Sequence, residues 1–204
     1  MRNKNNNKKS GYTIIETMIA VSLFTIIVMI GMEALLNANS VHNKAQNMRS
    51  ILDNLNFVME DMSRNLRTGY SYHCLVTGDS LPVASVSAPK NCASGWGIGF
   101  EYVNGNPSNN DDQWVYYINN GKIFKSTQGP SNLSNFIQLT PDEIVINTTA
   151  SSFTVVGAEP PPESPGPDRQ PFVTIKLVGS ITTSKGVISP FSLQTSVSQR
   201  KLDI

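Results

Sequence analysis

Residues 12–32, YTIIETMIAVSLFTIIVMIGM, constrain this chain more than any other segment: 21 residues carry a single charge, Glu16. At about 1.5 Å per residue such a helix is roughly 31 Å long, enough to cross a bilayer core of about 30 Å. The preceding residues 1–11, MRNKNNNKKSG, hold Arg2, Lys4, Lys8 and Lys9 and no acid. A basic flank of this kind keeps the N-terminus in the cytoplasm and sends the downstream chain across the membrane. A secretory signal peptide would end its apolar run in a small-residue cleavage site. Here Gly31 is followed by Met-Glu-Ala-Leu-Leu, so the segment is expected to stay as a single-pass anchor with the rest of the chain extracytoplasmic.

Glu16 is the anomaly within this run. A carboxylate near the centre of a membrane helix costs about 2.5–3.5 kcal/mol on insertion scales, and less towards the interface. Two readings are open. Glu16 reaches the headgroups, or the leader is cut after Gly11 and Glu16 neutralises the new Tyr12 amine of a neighbouring subunit. In the second case two costly charges become a pair that exists only in an assembly.

The sequence Gly11-Tyr12-Thr13-Ile14-Ile15-Glu16, after a short basic leader and before an uncharged helix, resembles the type IV prepilin cleavage and methylation motif. The resemblance implies that a prepilin peptidase cuts between Gly11 and Tyr12 and that Tyr12 is methylated. It also implies that Glu16 guides docking into a filament of pilin or pseudopilin subunits on an assembly platform. Tyr12 stands where phenylalanine is commonest in that family, so an aromatic is kept. Many pilins carry a proline in the membrane half of the helix, whereas this chain has only Gly31 there.

Beyond the anchor, Ala38, Val41, Ala45, Met48, Leu52, Leu55, Met59, Met62 and Leu66 recur at alternating spacings of three and four, the signature of an apolar helical stripe. Lys44, Arg49, Asp53, Glu60, Asp61, Arg64 and Arg67 fall on other faces. Thr68-Gly69 supplies a stop, and Arg64 and Arg67 suit the negative end of the helix dipole. One helix of about 80 Å is therefore expected, its stripe packed on the protein's own sheet; a two-stranded coiled coil is the alternative. Aromatics and prolines concentrate after Gly69, where turn-separated strands are expected. They are read at 70–76, 98–103, 113–118, 122–126, 136–139, 144–146, 153–156, 172–178 and 191–197. The clearest hairpin is Trp114-Val115-Tyr116-Tyr117-Ile118, then Asn119-Asn120-Gly121, then Lys122-Ile123-Phe124-Lys125, whose turn residues tolerate positive φ. Segment 158–171, with six prolines, reads as a surface loop.

The fold class is thus α+β: a long N-terminal helix packed on a C-terminal antiparallel β-sheet head. It divides into a basic leader (1–11), a transmembrane and assembly helix (12–36), an amphipathic helix (37–69) and a β-rich head (70–204). Residues 52–69, the Tyr-Tyr-Ile-turn-Gly-Lys-Ile hairpin and the ending Phe191-Ser-Leu-Gln-Thr-Ser-Val-Ser-Gln-Arg200 are similar to the minor-pilin group related to pseudopilin J of type II secretion.

Composition narrows the function classes. Charged residues make up 15% of the chain and the net charge is +1, well short of the basic face that a nucleic-acid partner requires. Cys74 and Cys92, with 17 residues between them in an exported region, read as a disulfide worth on the order of 3 kcal/mol in the chain-entropy model; free thiols and a metal site are the alternatives. His73 is a weak co-ligand because strand neighbours point to opposite faces. The oxygen-rich loop 104–112, NGNPSNNDD, has ligands of the kind calcium favours, but it lacks EF-hand spacing and turn-forming Asn/Asp explain it equally. No metal or cofactor is assigned. Gly95-Trp96-Gly97-Ile98-Gly99 lacks the spacing of a nucleotide loop, and no nucleophile motif appears. The expected function is a structural one, a minor pilin or pseudopilin in the cytoplasmic membrane that moves into a pilus or pseudopilus. The alternative is a membrane-anchored binding module, an adhesin or a substrate or DNA receptor, but a mere anchor needs neither Gly11 nor Glu16.

Overall fold

Residues 11–159, 170–182 and 188–200 are described by the computed structural model. The expected leader, Gly11 excepted, and most of the proline-rich loop lie outside the described residues. One helix, α1 (Ile14–Thr68), is followed by β1 (Tyr70–Leu75), β2 (Cys92–Gly95), β3 (Gly97–Glu101), β4 (Gln113–Asn119) and β5 (Lys122–Ser126). The series continues with β6 (Ile137–Gln138), β7 (Ile144–Ile146), β8 (Ser152–Val156), β9 (Phe172–Thr182) and β10 (Ile188–Ser198). The class is the α+β, pilin-like arrangement of a long N-terminal helix and antiparallel sheets. The chain divides into two units between Gln46 and Asn47.

Within the second unit the strands form two sheets. One runs β1-β3-β4-β5-β6; the other runs β10-β9-β8-β2, with β7 also pairing β9. The β4–β5 hairpin closes through Asn120 (φ 47°) and Gly121 (φ 73°). Two consecutive left-handed residues match the twist of the flanking strands, which is why Asn-Gly sits at this turn.

The end of α1 is buried against these sheets. Leu55, Val58, Met59, Met62 and Leu66 join Ile98, Phe100, Tyr116, Ile123, Phe153 and Ile175 in one core. Of the nine stripe positions, Met48 and Leu52 are partly buried, while Ala38, Val41 and Ala45 are exposed. The helix stops where its free carbonyls find other donors. The Tyr72 hydroxyl donates to Leu66 O and, at 2.9 Å, to Gly69 O, and Arg200 N–H donates to Arg67 O at 2.7 Å. Such bonds satisfy the last turn, which has no partners of its own.

One polar node crosses this apolar contact. The Tyr116 hydroxyl donates to Asp61 Oδ2 at 2.9 Å, Asn65 Nδ2 donates to Tyr116 Oη at 2.9 Å, and Lys125 Nζ reaches Asp61 Oδ2 at 3.0 Å. Lys125 also lies 4.5 Å above the Trp114 ring. Burial, reinforced by the Asp61 charge, pushes the Tyr116 hydroxyl well above its ordinary pKa, so it stays a donor at physiological pH.

Three strand expectations need correction. Strand β2, Cys-Ala-Ser-Gly, is absent from the expected series because it has no apolar alternation; pairing with β8 and the link from Cys92 to β1 hold it extended. Strand β6 has two residues instead of four. Strands β9 and β10 both exceed their expected spans. Gly179 and Ser180 interrupt the alternation of β9, but β7 pairs one edge there and β10 the other. Pro190 is accommodated inside β10 because Gln199 N–H donates to Pro171 O, which sets odd-numbered residues towards β9. The nitrogen of Pro190 therefore faces the open edge, the position where a strand tolerates proline.

The buried ridge carries a direct test. Met62 is fully buried and Phe57, on the same helix, is 72% exposed. Met62→Ala should cost about 2–5 kcal/mol, whereas Phe57→Ala should stay within about 0.5 kcal/mol. Denaturant unfolding of the full chain in detergent measures both, and equal costs would contradict the packing.

Candidate functional site

The candidate site begins where the chain becomes helical. Gly11 and Tyr12 precede the helix, and Tyr12 is 84% exposed. Thr13 N–H donates to Glu16 Oε2 at 3.5 Å, and Glu16 N–H donates to Thr13 Oγ1 at 3.4 Å. This reciprocal pair is a capping box, in which the two side chains satisfy backbone donors that the first turn leaves free. A carboxylate three residues after the cap also suits the positive end of the helix dipole. Glu16 is thereby aimed back at the Thr13 amide, one residue from the Gly11–Tyr12 junction.

Above it, Ile14, Ile15, Met18, Phe24, Ile27 and Met29 are each more than two-thirds exposed. Helix α1 is long and apolar enough to cross a membrane, and none of its 18-residue apolar stretch is buried. The polar side chains in this stretch are turned inward. Thr17 Oγ1 donates to Ile14 O at 2.8 Å, Thr25 Oγ1 to Val21 O at 2.8 Å, and Ser22 Oγ to Met18 O. Hydroxyls bonded to the preceding turn leave no unsatisfied donor for an apolar solvent. Only the Glu16 carboxylate remains as a charge in a surface suited to lipid.

Elsewhere, Cys74 on β1 and Cys92 on β2 are joined as a disulfide, with Cα atoms 5.9 Å apart. Gly95 is needed beside it, because a side chain there would run into Cys74 Sγ and come within 2.6 Å of Leu75 O. The nearby His73 ring does not join the sulfurs; its Nδ1 lies 2.6 Å from Ala88 O. Lys90, two residues before Cys92, pairs with Asp79 at 2.7 Å. The loop 104–112 is closed by turn bonds, with Ser108 N–H donating to Asn106 Oδ1 and Asp111 N–H to Asn109 Oδ1.

Of the residues singled out from sequence, Gly11, Tyr12 and Glu16 therefore cluster at the helix start, and Cys74 and Cys92 are brought together in the head. Thr13 was missed, although its signal, Thr-x-x-Glu ahead of an apolar run, was present.

With this geometry in place, comparison with known proteins gives one match. The family model described as the prokaryotic N-terminal methylation motif matches residues 6–32. No curated protein and no solved structure matches the chain. The matched motif supports a type IV pilin-like precursor, a structural subunit rather than an enzyme, which implies assembly with other pilin subunits and processing by a prepilin peptidase. Together with the apolar helix it fits a protein held in the membrane by an N-terminal anchor.

Two measurements address the head. Non-reducing peptide mapping should recover Cys74 cross-linked to Cys92, and reduction should lower stability by about 3 kcal/mol; full alkylation without reductant would reject the link. The Lys90 ammonium and then the Val76 N–H hold the Asp79 carboxyl below its ordinary range. Because the folded value lies below the unfolded one, the pair stabilises above pH about 4 and the benefit is lost as pH falls through the folded value. Its members are 34% and 30% exposed, so Asp79→Asn should cost about 0.2–1 kcal/mol near neutrality. A melting temperature gap that persists in strong acid would contradict this.

Proposed function

We propose that this chain is a minor type IV pilin or pseudopilin. In this reading a prepilin peptidase removes residues 1–11, Tyr12 is methylated, and the subunit passes from the cytoplasmic membrane into a pilus or pseudopilus on an assembly platform. The observation that carries the proposal is the junction of Gly11, Tyr12 and Glu16 with an apolar helix whose side chains are unburied. The proposed division keeps residues 12–36 as the membrane and assembly helix, 37–69 as an amphipathic helix and 70–204 as the head. Its similarity to pseudopilin J in residues 52–69, the β4–β5 hairpin and the C-terminal strand favours a place among the minor subunits.

Mechanistically, cleavage after Gly11 would place a free amine at Tyr12, the residue before the Thr13 amide that Glu16 accepts from. Within one chain Glu16 already accepts from the Thr13 amide. In a filament the same carboxylate would neutralise the Tyr12 amine of a neighbour, so that two charges unfavourable in lipid become a pair.

Mass analysis of the mature N-terminus from the native host should show a chain beginning with methylated Tyr12. An intact leader in assembled material would overturn the reading. Glu16→Gln keeps the side-chain shape but leaves a neighbour's amine unpaired, a loss of about 3–5 kcal/mol, or more than about a hundredfold in association at roughly 1.4 kcal/mol per decade. Incorporation into sheared filaments should fall accordingly at matched membrane levels, while insertion and leader removal persist. Equal incorporation would leave a plain anchor.

A further inference from the structure

The two sheets have four end strands, β1, β6, β10 and β2. Three of them are poor templates for a further strand. Strand β6 has two residues, and β2 has four with a break in register. Strand β1 is bulged between Tyr70 and His73, and its Tyr72 O and Cys74 N–H are already bonded to Lys90. Strand β10 is the exception. Its eleven residues pair with β9 without a shift in register, and among the described residues no backbone hydrogen bond reaches its other edge.

Because odd-numbered residues of β10 bond to β9, the even-numbered ones turn their backbone groups outward. Ser192, Gln194, Ser196 and Ser198 thus present N–H and C=O along the open edge, about 6.8 Å from one to the next. Natural edges are normally blunted by charges, prolines or bulges. Residues 188–198 hold no charge, and Pro190 guards only the first part of the strand. The side chains are two-sided. Phe191 and Leu193 pack on the core yet stay partly exposed, whereas Ser192, Gln194, Ser196 and Ser198 are exposed. At β10 the core therefore ends with apolar surface still open beside an unpaired ladder.

We propose that β10 accepts an extended segment of another polypeptide as an added antiparallel strand. Only an extended backbone carries donors and acceptors at the spacing this edge requires, which is the basis of strand addition. Antiparallel pairing is slightly the more stable kind, and both sheets are built from it. The edge also sets the chemistry of its partner. The segment is apolar at alternate positions, which extend the core past Phe191 and Leu193, and carries hydroxyl or amide side chains between them. A second copy of β10 is the poorer fit. In the two-fold register that uses all four outward N–H groups, Pro190 faces Arg200; Pro190 has no N–H, and Arg200 N–H already donates to Arg67 O.

The test uses the full chain in detergent and a fluorescent peptide with the β9 sequence Phe172–Thr182, which has the required alternation. Anisotropy should show saturable binding. Amide exchange at Ser192, Gln194, Ser196 and Ser198 should then slow by about tenfold or more, while Leu193, Thr195 and Val197, already bonded to β9, change little. With its apolar side facing the core, the peptide donates from the residues that correspond to Thr174, Lys176 and Val178. N-methylation of those three should abolish binding, and N-methylation at Val173, Ile175 and Leu177 should spare it. Gln194→Pro puts a second proline where, as at Pro190, the nitrogen faces outward; it should fold and lower affinity about tenfold. No binding by the wild type would overturn the proposal, as would binding that tolerates the first methylated peptide. A wild type already dimeric without peptide, with the same four amides slow, would assign the edge to a second copy and overturn it too. None of these outcomes depends on leader cleavage or on filament assembly.

Discussion

The head depends on one apolar ridge. Leu55, Met59, Met62 and Leu66 lie along a single face of α1, and the inward residues of both sheets close over them. Each fully buried side chain of this size contributes about 1.5–3 kcal/mol through removal from water. Among the described residues no comparable helix covers the strands elsewhere, so the last turns of α1 supply a whole side of the core. That dependence explains the unusual care at the helix end, where Tyr72 and the residues just after β10 both donate to its carbonyls.

Polar groups at this contact are handled in two ways. Asp61 accepts from Tyr116, Asn65 and Lys125, so its charge is compensated at every oxygen. Such a node narrows how helix and sheet can register, because a shifted packing would strand a carboxylate away from water. Glu101 is buried more deeply yet keeps one oxygen without a partner among the described residues.

The N-terminal part of α1 obeys the opposite rule. Its apolar side chains are outward and its hydroxyls are folded back onto the helix, an arrangement suited to hydrocarbon rather than to a protein core. Glu16 is the exception, and the capping box shows how its charge is held at the helix start without a partner from another chain.

Much of this was legible in the sequence. An uncharged run long enough for a bilayer, a basic leader and an acid at a set distance are local features, and their chemistry depends on order along the chain alone. The apolar stripe and the Asn120-Gly121 turn were likewise readable, because helix period and positive φ are local properties. Tertiary structure decided how far the stripe is covered: Met48 onward packs on the sheet, whereas Val41, equally in phase, stays exposed. It also decided that Cys-Ala-Ser-Gly forms a strand and that Pro190 fits inside one, since pairing with distant segments overrides weak local preference. Above all it brought Glu101 beside Gln113 and Ser87. No spacing rule could show that, because burial and missing partners arise only when strands separated in sequence are laid side by side.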